Sequence, residues 1–292
     1  MRSDLIPIWV AAFAAAIFGV WWIPIRYLEN AGLHGAWGGL TMCGGAAVFA
    51  FAWLTISRQP LALSKHALMG AVLIGVTVSL YSTSLNYTDV VRSVLLFYLA
   101  PAWSKLIEWR FMRLPWHWSS SLTIAAALLG AFLTLGGEIT GGALNFGDVL
   151  AIVSGLAWAA GAAFIFTADK PSAASLTAVA TLSAVLVALP FGLASGVPLM
   201  GGEGVKTLSV AVGAGAIYVF PLLLMTLWAA QRISPALLTF LLSAEILTGV
   251  ISGAVLLDEP FGMLQALGTV MIILAAVSEV FKGLRAAPAK SH

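Results

Sequence analysis

Long apolar runs, separated by short polar breaks, occupy almost the whole chain. A helix needs about 20 mostly apolar residues to cross the hydrocarbon of a bilayer. Ten segments meet that requirement: 5–28, 35–56, 66–86, 90–109, 119–136, 147–168, 172–194, 207–230, 235–257 and 262–282. The connections are short and leave no room for a soluble domain. The fourth segment holds Pro101 and ends in charges, and the eighth holds Pro221, so these two fit an unbroken helix least well. The ninth, within "FLLSAEILTGVISGAVLLDEP" (240–260), is apolar except for one carboxylate near its middle, Glu245.

Composition fixes the class. The residues are 61% hydrophobic and 9% charged, against about 25% charged in soluble domains. The predicted fold class is all-α: a polytopic membrane protein of ten transmembrane helices. A formal charge of +2 without a basic stripe gives no nucleic-acid footprint. The single cysteine, Cys43, excludes an intramolecular disulfide. The first apolar segment runs on into the multi-span pattern, so it reads as a retained helix, not a cleaved signal peptide.

Charge then orients the chain. With the N-terminus in the cytoplasm, eleven Lys and Arg fall inside, and three, Arg26, Arg92 and Lys206, fall outside. Acids such as Glu29, Asp89, Glu138 and Asp148 fall on the outer side. Both termini are therefore expected in the cytoplasm.

The two halves echo each other. "LLGAFLTL" (128–135) parallels "ALGTVMII" (266–273), "AAAIFGVWW" (14–22) parallels "AIVSGLAWA" (151–159), and "SVLLFYLAP" (93–101) parallels "ALLTFLLSA" (236–244). The expected units are a five-helix repeat at 1–140, a second at 141–285 and a tail at 286–292. Five helices is an odd number, so the second repeat enters the membrane from the opposite face. Inverted repeats of this kind typify secondary transporters, with the substrate near the midplane where the repeats meet.

These features, with "LNFGD" (144–148), "RFMRLPW" (110–116) and "LLDEPFGMLQALGTVMIILA" (256–275), resemble the drug/metabolite transporter superfamily in its ten-helix EamA-type branch. The resemblance covers essentially the whole chain. The aromatic-rich profile further resembles the YddG-type aromatic amino acid exporters. The resemblance implies export of amino acids and related metabolites across the bacterial inner membrane, through a central cavity lined by both halves. One departure is that Ala244 and Glu245 stand where many members have a Glu-Pro step.

Candidate path residues come from polar and aromatic positions within the segments. A charge at the bilayer centre costs about 2.5–3.5 kcal/mol on insertion scales, so Glu245 must face protein or water. It is either a proton-coupling group or ammonium anchor, or a neutral acid bonded to a neighbouring helix. Trp22, Tyr81, Tyr98, Trp158 and Tyr218 offer ring faces for aromatic or cationic groups, or else belong to packing and interfacial belts. Ser82 and Asn86 share a helix face, and Ser243 lies two residues before Glu245. Each can bind substrate or simply bridge helices. Pro101 lacks a donor, so the carbonyl near Phe97 must find another partner. "GVISG" (249–253) permits close helix contact.

Other function classes fit poorly. The four histidines, His34, His66, His117 and His292, lie in loops or at ends, so no intramembrane His serves an enzyme. No GxxxxGK[ST] loop is present for ATP. The sequence predicts no cofactor or metal, a small-molecule substrate, a surrounding bilayer and a functional monomer. Export of organic cations or drugs remains the alternative substrate reading.

Overall fold

The computed structural model describes residues 2–34, 36–84, 87–88, 90–134, 144–199, 204–257 and 262–286. The described residues form α-helices and one π-helical turn, with no strand among them. The helices fall into the ten expected segments. The first is α1 (Arg2–Phe18) with α2 (Trp22–Asn30), the second α3 (Ala36–Ile56) and the third α4 (Lys65–Ser84). The fourth is α5 (Val90–Phe97) with α6 (Ala100–Arg110), and the fifth α7 (Trp118–Thr134). In the second half, α8 (Phe146–Phe166) and α9 (Ala173–Ala194) are the sixth and seventh segments. The eighth is α10 (Val205–Ala214), a π turn (Gly215–Val219) and α11 (Phe220–Ala230). The ninth is α12 (Pro235–Leu242) with α13 (Ala244–Leu257), and the tenth α14 (Met263–Ala286). The expected repeat boundary at 140 and nearly all of the 286–292 tail lie outside the described residues.

Local chemistry sets the helix starts. Asn145 opens α8 with a reciprocal cap: its side chain accepts from Asp148 N, and the Asp148 carboxylate accepts from Asn145 N, both at 2.9 Å. Thr88 donates to the same carboxylate at 2.8 Å, which satisfies a fully buried acid. Ser234 caps α12, and Pro235 follows in the first turn, where its missing N–H costs nothing.

Four predicted helices differ from expectation, the first of them by an interruption at 19–21 between α1 and α2. The ninth segment, predicted as one helix over 235–257, breaks at Ser243. The cause is a local switch of hydrogen bonds. Ile246 N goes to Ser243 O (3.1 Å), where a continuous helix would send it to Leu242 O. The Ser243 hydroxyl meanwhile donates back to Phe240 O (2.8 Å). The fourth segment, expected to kink at Pro101, instead breaks at Tyr98 and Leu99, and Pro101 sits in the first turn of α6. In the eighth, the π turn directly precedes Pro221, so the ring's clash with the preceding turn is absorbed by local widening.

Packing crosses between the halves. The sixth segment (α8) packs on the third and fourth (α4, α5, α6). In mirror fashion, the first (α1) packs on the eighth and ninth (α11, α12, α13). The third lies on the seventh as the second lies on the eighth, while α3·α9, α6·α12 and α7·α14 pair like with like. Each of these pairs maps onto another, or onto itself, when segments are advanced by five. Small residues make the contacts close. A Cβ on Gly75 would run into Ala180 O of α9, and one on Gly45 into Val212 O of α10.

Candidate functional site

The fourth and ninth segments both break midway, at positions that the parallel stretches 93–101 and 236–244 bring within about a turn of each other. Such interruptions leave backbone polar groups for a site to use. Tyr98 lies in the first break. Its ring packs with Ile246, Ala131 and Ile272, and only 4% of it is exposed. Its hydroxyl reaches across to the second break, where Leu242 O, released by the switch at Ser243, lies 3.3 Å away. The Glu245 carboxylate, in the first turn of α13, interacts electrostatically with this tyrosine. A carboxylate in a helix's first turn is favoured by the helix dipole.

Glu245 is half-buried. Besides Tyr98, its charge is felt by Tyr81 of α4 and Tyr218 of the π turn. Three predicted tyrosines, from the third, fourth and eighth segments, thus share the electrostatic neighbourhood of one acid of the ninth. Tyr81 is backed by Phe97, with ring centroids 4.8 Å apart. Tyr218 donates to Ile17 O at 2.6 Å and stacks obliquely on Trp21 at 5.6 Å, which ties the eighth segment to the first.

The other predicted residues are placed around this group or apart from it. Ser243 is 3% exposed, and its hydroxyl is used by the break itself. Trp158 is 6% exposed, and its Nε1 donates to Thr239 Oγ1 at 3.1 Å. Pro101 is buried, and the carbonyl that it frees, Phe97 O, faces Gly155 of α8 so closely that an added Cβ would come within 2.7 Å. Ser82 is apart: it lines a cavity of about 10 Å³ between α3, α4 and α9. Asn86 lies outside the described residues, as does the side chain of Trp22, whose backbone opens α2. The faces of Gly249 and Gly253 also lie outside the described residues. Phe240 is in a dry core with Ile124, Ala127 and Ala275.

Two residues escaped the sequence reading. Thr239 accepts from Trp158, meets Ser104 Oγ at 3.0 Å and donates to Pro235 O at 2.8 Å, so it joins the fourth, sixth and ninth segments. As a lone hydroxyl in the run "PALLTFLL", it carried a usable signal. Glu108, near the end of α6, is 2% exposed. It accepts from Ala236 N at 2.9 Å and pairs with Lys105 at 3.1 Å, which caps α12 from the other half.

The bundle and its facing helix breaks are those of a polytopic membrane protein. Residues 145–278 match the model of the EamA-like transporter family, so the second half of the chain is similar to an EamA-like domain. A solved crystal structure superposes with a TM-score of 0.75 over 98% of this chain and 99% of its own, at 15% identity, a likeness of fold. No curated protein matches the chain.

Proposed function

We propose that the protein is a secondary transporter of the YddG type, exporting aromatic and other neutral amino acids and related metabolites by alternating access between two inverted five-helix repeats, 1–140 and 141–285. The carrying observation is the electrostatic neighbourhood that Tyr81, Tyr98 and Tyr218 share with Glu245. A carboxylate among ring faces suits an ammonium group, by charge and by cation–π attraction. The rings then hold an apolar or aromatic side chain. Trp22, Trp158, Ser82, Asn86, Pro101 and Ser243 complete the proposed path or support it. The reading places the chain in the bacterial inner membrane as a functional monomer with both termini cytoplasmic.

The same group favours a second reading, export of organic cations, because an acid among aromatics needs only a positive charge from its ligand. Efflux of labelled neutral amino acids and of a quaternary ammonium from proteoliposomes, with and without a pH gradient, separates the two. Amino acid efflux that Glu245→Gln removes supports the first reading. Efflux of the ammonium alone supports the second. An unchanged Glu245→Gln protein refutes both roles for the acid.

A further inference from the structure

A cleft of about 450 Å³ opens where α1 and α9 begin and α3 and α11 end. That volume is in the range of ligand clefts, about 300–1,000 Å³. Its walls are apolar: Ile6 and Val10 of α1, Trp53 of α3, and Leu224, Met225 and Trp228 of α11. Ile6 and Trp53 are about half exposed, at 53% and 46%, so the cleft opens on the outer surface of the bundle. At its polar end, Ser172 donates to Gln59 at 2.7 Å.

Cations flank that polar end. The Arg232 guanidinium lies 4.0 Å over the Trp228 ring and donates to Trp228 O at 2.7 Å, so it is pinned beside the cleft. Arg58 adjoins Gln59, and Lys170 stands two residues before Ser172; both are exposed. All three belong to the charge set that faces the cytoplasm under the positive-inside bias. Anionic lipids are concentrated in the cytoplasmic leaflet, and cations near that surface attract them.

The cleft is separate from the tyrosine–acid group. Its inner lining ends at Val10 and Leu224. Further along the same segments, Tyr218 closes on Ile17 O. The equivalent position at the other end of the bundle, between α3, α4 and α9, holds only about 10 Å³ and is lined by small residues without a charge. Of these two positions, only the first has room for a bulky apolar chain.

We propose that this cleft binds one anionic phospholipid, with an acyl chain along Ile6, Trp53 and Met225 and its phosphate toward Arg232, Arg58 and Lys170. The test uses the full-length protein purified in a non-ionic detergent, with lipid retention read by native mass spectrometry. Dioleoylphosphatidylglycerol is compared with dioleoylphosphatidylcholine. The glycerol lipid is retained preferentially, and Arg232→Gln lowers its retention about five-fold, the effect of one cation near a phosphate, without changing that of the choline lipid. Ile6→Trp, at an exposed position, fills the cleft and lowers retention of both. Soluble glycerol phosphate, which lacks an acyl chain, displaces neither. Equal retention of the two lipids by the natural protein, undiminished retention in Ile6→Trp, or displacement by glycerol phosphate overturns the proposal.

Discussion

The indole of Trp158 donates to Thr239 Oγ1 at 3.1 Å, while Thr239 gives its own proton to Pro235 O and meets Ser104. The two partners are therefore unequal. Trp158→Phe removes one interhelical bond and leaves Thr239 satisfied, a loss of about 0.6 kcal/mol. Thr239→Val strands both Trp158 Nε1 and Ser104 Oγ in a dry interface, a loss of about 1–3 kcal/mol. Unfolding of the two variants in mixed micelles should rank them in that order; equal losses would contradict this account of the hub.

Gly155 takes the approach of the Phe97 carbonyl, and an added Cβ would lie 2.7 Å from that oxygen. The obstacle is backbone and cannot rotate away. Gly155→Ala should cost about 1–3 kcal/mol, as overpacking does, and should reduce efflux because it pushes on the break that holds Tyr98. Gly213→Ala is the control. It meets nothing within 4 Å and should gain up to about 1 kcal/mol from helix propensity. Melting temperatures of the pair check both signs.

Glu108 is buried between Lys105 and the first turn of α12. Glu108→Ala leaves Lys105 uncompensated and Ala236 N unpaired, and should cost about 3–5 kcal/mol. Glu108→Gln keeps an acceptor for Ala236 N and should lose less. Thermal unfolding compares the two, and a Gln variant as damaged as the Ala variant would show that the charge, not the cap, is what matters.

Tyr98→Phe removes the hydroxyl that reaches Leu242 O while keeping the ring in its cluster. An unpaired buried acceptor costs about 1–3 kcal/mol. Efflux should therefore fall by roughly ten-fold, with little change in expression or monodispersity. Normal efflux in a well-folded Tyr98→Phe protein would reduce this tyrosine to packing.

Topology provides an independent check. A periplasm-active reporter fused after His292 should be silent, and one placed in the connection between α2 and α3 should be active. A strong signal from the first fusion would undo the ten-segment count and the inverted repeat together.

Much of the fold was legible because lipid imposes a simple length rule: the ten apolar runs predict the ten segments, and the short connections predict their order. The interruption of the ninth segment was not legible. No Pro or Gly marks Ser243, and the partner of the freed Leu242 O is a tyrosine 144 residues earlier in sequence. Pro101 did announce a disturbance, but its place in a helix's first turn is set by the chain around Tyr98 and Leu99. At the site, Glu245 stood out as a lone acid in an apolar run, and Tyr81, Tyr98 and Tyr218 as polar-tipped rings. That they share one neighbourhood requires the crossed packing of α1 and α8, which no single segment encodes. Nothing local marks Glu108, because its partner, the start of α12, is distant in sequence.

The crossed packing also sets an order of assembly. Helix α1 is made before α11, α12 and α13, against which it rests and which follow about 200 residues later, on the order of ten to forty seconds at roughly 5–20 residues per second. Helix α8, by contrast, finds α4, α5 and α6 already inserted. Biogenesis is therefore lopsided even though the finished packing is nearly two-fold: α8 meets its neighbours as it is made, while α1 waits in the lipid for neighbours that do not yet exist.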